Sequence, residues 1–209
     1  MWSRSGSDGR WVWTGTRDGV EVRFFGRGPQ VADRGEELAT LSPDGVDCAW
    51  TEQVHSPAAL EVRAPGPAGE GDALVTREPG LALSVVTADC VPVMLAAGEW
   101  VAAVHAGWRG IVAGVVPTTV ERLRAGGAGD PAVWTAWIGP AIGGCCYEVG
   151  PEVAERVAVA STLDAVLAWP GKAKPHLDLA RAVATQLAAA GVSDVRPLVS
   201  CTQCDRDRL

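Results

Sequence analysis

The chain has 209 residues, 47% hydrophobic and 21% charged, the balance of a folded globular protein rather than a disordered one. Acidic residues outnumber basic ones by 25 to 18, for a net charge of -7, and no run of Lys or Arg forms a stripe that would track a phosphate backbone, which argues against a nucleic-acid partner. Residues 1–10 lack the apolar core of a signal peptide and no stretch reaches the roughly 18 apolar residues of a membrane span, so the expectation is one domain over residues 1–209, in the cytoplasm and away from membranes.

In chain order, the first signal is apolar alternation on both sides of Asp18-Gly19, which predicts a β-hairpin over residues 11–25. Residues 26–48 and 63–72 are rich in Gly, Pro and Asp and read as surface connections, with one short helical stretch at 35–41. Residues 81–87 read as a buried strand. After Asp89-Cys90 come two apolar runs, 91–97 and 100–105, separated by Gly98-Glu99. A two-residue loop beginning with Gly predicts a tight hairpin in which Ala97 pairs with Trp100. Counting back puts Pro92 opposite His105, and the period of two puts Cys90 on the same face, diagonal to His105. Diagonal neighbours are close enough for a thiolate and an imidazole to share a metal ion. Pro92 lacks an N–H for the ladder and implies an edge or a bulge.

Residues 111–124 show a helical face with a kink expected at Pro117, residues 132–138 a strand, 139–150 a glycine-rich loop, and 151–159 a helix opened by proline. Asp178 caps a helix running to Ala190, and 195–199 form a last strand. The mixture is α+β, mixed sheets flanked by helices. Cys201 and Cys204 form a lone CxxC, read as structural, and vicinal Cys145 and Cys146 are poorly placed to bridge each other. With no export signal, the six cysteines read as thiols or metal ligands.

Only three histidines exist, His55, His105 and His176. Two imidazoles and one thiolate with an open fourth position form a catalytic zinc arrangement, and the bland alternative is an inert, buried Cys90. Asp89 is placed to orient a ligand imidazole or to handle a proton near a metal-bound water, or else to cap a turn. Arg109, with the backbone amides between Gly107 and Gly110, suits an anion such as phosphate, the alternative being a tight turn with an exposed arginine.

Four ordered segments, Thr87-Ala88-Asp89-Cys90-Val91-Pro92-Val93, His105-Ala106-Gly107-Trp108-Arg109-Gly110, Ile138-Gly139-Pro140-Ala141-Ile142 and Cys145-Cys146-Tyr147-Glu148-Val149, resemble the signatures of the laccase-like polyphenol oxidoreductase family, now described as purine nucleoside phosphorylases. Weaker agreements, at Gln53-Val54-His55 and Asp72-Ala73-Leu74 among others, extend the resemblance over residues 50–204. It implies a fold similar to bacterial deamidase toxins with a Cys and His pair. It also implies one zinc per chain on His55, Cys90 and His105, and nucleoside and phosphate as partners: cleavage of adenosine, inosine, guanosine or methylthioadenosine with phosphate, and in some members deamination of adenosine. The chain departs from the pattern with Ser56 in place of Gly after the metal histidine and Gly144 in place of Pro before the paired cysteines. Members are expected to carry a longer N-terminal section and a C-terminal Phe-Ser-Tyr-Arg-Arg-like segment, where residues 26–48 are short here and the sequence ends at Leu209.

As a phosphorylase, the protein would use Arg109 to neutralise charge and Asp89 to manage a proton. A multicopper oxidase is excluded because three histidines cannot ligate several coppers. The competing readings are a metal-independent cysteine hydrolase with Cys90 as nucleophile and His105 as base, and a catalytically silent zinc-binding domain.

Overall fold

A computed structural model describes residues 3–5, 12–17, 19–26 and 46–205. The expected short helix at 35–41 lies outside the described residues. Strands β1 (Ser3–Ser5), β2 (Val12–Arg17) and β3 (Val20–Phe25) form an antiparallel sheet. β2 and β3 are the hairpin predicted around Asp18-Gly19, in register from Val12 opposite Phe25 to Arg17 opposite Val20. Gly19 adopts φ 81°, the left-handed conformation such a turn needs.

The chain next lays down β4 (Cys48–Glu52), β5 (Ala59–Glu61), β6 (Gly66–Glu70), β7 (Ala73–Thr76) and β8 (Ala82–Ser84). β4 is the centre of a small parallel sheet between β6 and β8, with an irregularity between Trp50 and Glu52. Two expectations change here. The Gly/Pro stretch at 63–72 is not merely a connection, because part of it pairs with β4 as an edge strand. Pro67 is tolerated there, since an edge strand needs ladder donors on one side only. The buried strand expected at 81–87 is three residues long and only half-buried.

The largest sheet joins β5 and β7 to β9 (Val91–Ala97), β10 (Trp100–Ala106), β11 (Thr135–Ile138) and β14 (Asp194–Pro197), in the order β14-β11-β9-β10-β7-β5. A short pair, β12 (Val166–Leu167) and β13 (His176–Leu177), stands apart. The hairpin register follows the sequence reading: Ala97 faces Trp100 and Pro92 faces His105. β9, however, is an interior strand with no bulge in either of its pairings. Pro92 costs no bond to β10, because the His105 amide opposite it donates to Asp72 O at 2.7 Å instead. On the other side Pro92 O accepts from the Gly139 amide at 2.9 Å just past the end of β11, where only the return bond is missing.

Side chains alternate across this sheet. Val91, Val93, Leu95 and Ala97 of β9, with Ala102, Val104 and Ala106 of β10, enter the main core. That core is completed by helices α1 (Trp108–Ala113), α2 (Val115–Ala125), α3 (Pro151–Ala160) and α4 (Leu179–Ala189). On α2, Val115, Val116, Val120 and Leu123 are at most 1% exposed, each contributing about 1.5–3 kcal/mol through removal of apolar surface from water. Opposite residues of the sheet meet the smaller sheets: Ala96, Met94 and Trp137 pack on Val22 and Phe24 of β3, and Leu74 packs on Ala49 of β4. His105 alternates with Val104 and Ala106, which places it on the side of the small sheets.

The helical segment predicted over 111–124 is broken at Gly114 rather than kinked at Pro117. Gly114 takes φ 87°, ending α1 and starting α2, so Pro117 falls in a first turn where a missing N–H is harmless. Asp178 caps α4 as predicted, its side chain accepting from the Arg181 amide at 2.9 Å. The strand expected at 132–138 begins with a 3-10 turn (Pro131–Val133) and becomes extended only from Thr135.

Candidate metal centre

The last strand residues and first loop residues of three elements meet at one point. His55 follows β4, Cys90 immediately precedes β9, and His105 lies near the end of β10. One potential ligand atom from each lies within 4.8 Å of the others, and Cys90 Sγ is 3.9 Å from His55 Nε2. The two imidazoles meet edge to face with centroids 4.8 Å apart. Burial grades from His105, which is buried, through half-buried Cys90 to exposed His55. The group is therefore anchored in the fold on one side and open on the other, at a cavity of about 730 Å³ whose wall includes Trp50, Gln53, Pro67 and Asp89.

Asp72, fully buried just before β7, organises this point. Its carboxylate accepts from three consecutive amides, Val54 at 3.2 Å, His55 at 3.0 Å and Ser56 at 2.5 Å, and from the Ser56 hydroxyl at 3.0 Å. It also lies 2.8 Å from His105 Nδ1. Burial alone would push the Asp72 carboxyl up, but the hydrogen bonds from His105, Ser56 and the His55 amide outweigh it and hold the group below its ordinary value. The same bonds retain His55 at φ 59°, the left-handed region that side chains other than Gly seldom enter. With Nδ1–H donated to an ionised Asp72, Nε2 is the His105 nitrogen that could ligate a metal.

The carboxylate that orients an imidazole is thus Asp72 and not Asp89. Asp89 accepts from Thr202 Oγ1 at 2.6 Å and from Gln203 Nε2 at 3.1 Å, so the segment around residue 202 fixes it against the cavity. Gln53 forms a second clamp, donating to Val86 O at 2.7 Å and accepting from Val86 N at 2.8 Å, which ties the strand leading to His55 to the loop leading to Cys90. Gly107 supplies clearance, since a Cβ there would lie 2.8 Å from both Cys90 Sγ and His55 Cδ2.

Burial pushes the Cys90 thiol above its ordinary range, and the charges of Asp89 and Asp72 push it the same way. Burial also pushes the Tyr147 phenol above its ordinary range, with Cys90 adding to the effect and Arg109 opposing it. Arg109 is exposed, its guanidinium stacked 4.5 Å from the Trp108 ring, and it is outside the cavity wall. His176 stands elsewhere, its Nδ1 3.0 Å from Gly144 O. Asp72, Gln53, Thr202 and Gln203 carry no role in the sequence reading. A lone Asp before an apolar strand and a Gln two residues before a candidate ligand are faint signals, and the pairing of Asp89 with residue 202 has no local signal at all.

The chain belongs to the family described as multi-copper polyphenol oxidoreductase laccase, whose model matches residues 29–209. Individual relatives carry other names. A purine nucleoside phosphorylase of Streptomyces coelicolor is 42% identical over 189 residues, covering 87% of this chain and 77% of its own. Adenosine deaminase RL5, from an unknown prokaryotic organism, is 40% identical over 154 residues, 70% of this chain and 58% of that one. Among solved structures, YlmD from Geobacillus stearothermophilus superposes with a TM-score of 0.76 at 28% identity, over 98% of this chain and 87% of its own.

Proposed function

We propose that the protein is a zinc-dependent enzyme of purine nucleosides that cleaves adenosine, inosine, guanosine or methylthioadenosine with phosphate, holding its metal on His55, Cys90 and His105. The observation that carries the reading is the convergence of those three side chains at the cavity. Its volume lies within the range of small-molecule sites, and Trp50 and Pro67 contribute apolar surface of the kind that a purine ring packs on.

The donor set fits zinc. Bonds of about 2.3 Å to sulfur and about 2.0–2.1 Å to nitrogen in a tetrahedron separate the donors by about 3.6 Å, against 3.9 Å between Cys90 Sγ and His55 Nε2. Copper chemistry of the kind in the family's description needs more imidazoles than the two at this point. When bound by His55, Cys90 and His105, zinc would supply Lewis acidity at the cavity. Asp72 keeps His105 and the His55 loop in place, so that the donors need no rearrangement. Asp89, fixed by Thr202 and Gln203, handles the proton that the departing base takes up as its bond to C1′ of the ribose breaks and a phosphate oxygen bonds to that carbon. Arg109, exposed on Trp108 outside the cavity wall, is the guanidinium that would counter the charge of phosphate. The six cysteines, all free thiols, suit a reducing compartment, the cytoplasm.

The relative named adenosine deaminase favours hydrolytic deamination as a second reaction of the same site. A metal-free cysteine hydrolase is disfavoured, because burial and the charges of Asp89 and Asp72 push Cys90 away from the thiolate form. The test is elemental analysis of protein purified without a metal-affinity tag, native and Cys90→Ala, followed by an assay of adenosine with and without phosphate. Zinc lost with Cys90, together with phosphate-dependent release of adenine, is the expected result. Ammonia release without phosphate dependence would transfer the reading to deamination, and turnover unchanged in a metal-free protein would overturn it.

A further inference from the structure

A second group of soft donors lies outside the cavity wall. Cys145 and Cys146 sit in the turn after β11, where the Cys146 and Tyr147 amides donate to Gly143 O at 2.9 and 3.0 Å. Cys201 and Cys204 sit in the turn after β14, where the Cys204 and Asp205 amides donate to Cys201 O at 3.1 and 2.9 Å. The CxxC that looked solitary in the sequence is therefore half of a set. A parallel bridge between Ala141 and Cys201 sets the two turns side by side, and the Gly143 amide points at Cys201 Sγ from 3.2 Å.

The four sulfurs lie within 4.8 Å of one another, with Cys146 to Cys204 at 3.4 Å and Cys145 to Cys204 at 3.6 Å. Zn–S bonds of about 2.3 Å in a tetrahedron put the sulfurs about 3.8 Å apart. A disulfide would bring two of them to about 2.05 Å, whereas Cys204 is nearly equidistant from both members of the vicinal pair. The spacing also leaves no room for several irons between the sulfurs. Four thiols packed together have weak partners in each other, and a shared cation supplies each with a strong one.

We propose that Cys145, Cys146, Cys201 and Cys204 bind a second zinc ion, a structural site of four thiolates that fastens the C-terminal turn to the loop after β11. Thr202 and Gln203 are the two residues inside that turn, and both donate to Asp89, the neighbour of Cys90. The ion thus holds in place the two side chains that fix a wall residue of the cavity. The metal assignment stands on the sulfur geometry alone and does not rest on the nucleoside reading.

The test uses the full chain purified without a metal-affinity tag and compares three forms: wild type, His55→Ala with Cys90→Ala, and Cys145→Ser with Cys204→Ser. About two zinc ions per chain are expected in the wild type and about one in each double variant. The ion left in the His55/Cys90 variant, exchanged for cobalt(II), should show the strong thiolate-to-cobalt charge-transfer absorption of four sulfur ligands. In the wild type, chelation should release these thiols to a thiol reagent and speed amide exchange at residues 201–205. The proposal is overturned if the His55/Cys90 variant is metal-free with four rapidly reacting thiols, or if these cysteines are recovered as disulfides. An unchanged zinc content in the Cys145/Cys204 variant would overturn it equally. Because the two double variants empty different sites, failure of either metal assignment is scored separately from the other.

Discussion

Replacing Asp72 by Asn removes one oxygen and one charge from a carboxylate on which five hydrogen bonds converge. If the remaining oxygen stays near His105 and the His55 amide, the new amino group faces the Val54 and Ser56 amides, which lie 3.2 and 2.5 Å from an acceptor in the native protein. If the side chain flips, the amino group faces the His55 amide and His105 Nδ1 instead. Either way two donors oppose a donor in a position with no exposure. At about 1–3 kcal/mol for each unsatisfied buried group, the loss is about 2–6 kcal/mol. That is a large share of the roughly 5–15 kcal/mol that holds a domain together. With a urea dependence of about 2 kcal/mol/M, the unfolding midpoint of chelated protein should fall by about 1–3 M. Zinc affinity of the His55, Cys90 and His105 group, measured by competition with a chelating dye, should fall about 10–100-fold through the lost brace on His105. A midpoint within about 0.3 M of wild type, with zinc affinity unchanged, would refute the role given to Asp72.

The depressed Asp72 carboxyl also sets a pH dependence. Its folded value lies below the ordinary 3.8, so its contribution is complete above that range and is lost as pH falls through the folded value. Chelated wild type should lose more stability between about pH 5 and 3 than Asp72→Asn does, and parallel curves would sink the assignment. Gly107→Ala places a Cβ 2.8 Å from the side chains of Cys90 and His55, the proposed ligands. It should cost about 1–3 kcal/mol and displace the metal while circular dichroism stays native. Retention of the full zinc content would show that His55 and Cys90 can move aside. Trp134→Ala, which empties a site 1% exposed and removes the indole bond to Ala128 O, should cost about 3–5 kcal/mol in urea unfolding; a loss under about 1 kcal/mol would mean the core closes around the gap.

Much of the fold was legible because its signals are local. Gly98-Glu99 between two apolar runs fixed the β9–β10 register, and the period of two then placed Pro92 opposite His105. Asp178 announced α4 by a bond three residues long. Errors arose where two local signals competed or where a neighbour decided the outcome. Gly114 and Pro117 both interrupt a helix, and only packing of α1 and α2 showed that the glycine makes the break. Gly66–Glu70 carries loop composition and becomes a strand because β4 offers it an edge.

The sequence by itself pointed to the β9–β10 register, since a two-residue turn beginning with Gly pairs Ala97 with Trp100 and alternation then sets Cys90, just before β9, diagonal to His105. Tertiary structure alone decided how His55 joins them, because that depends on Asp72, 17 residues from His55 and 33 from His105. It alone decided that Cys201 and Cys204 meet Cys145 and Cys146, more than 50 residues away. Contacts at such separations are set by how sheets stack and where loops return, and these follow from burying the whole core rather than from any local pattern.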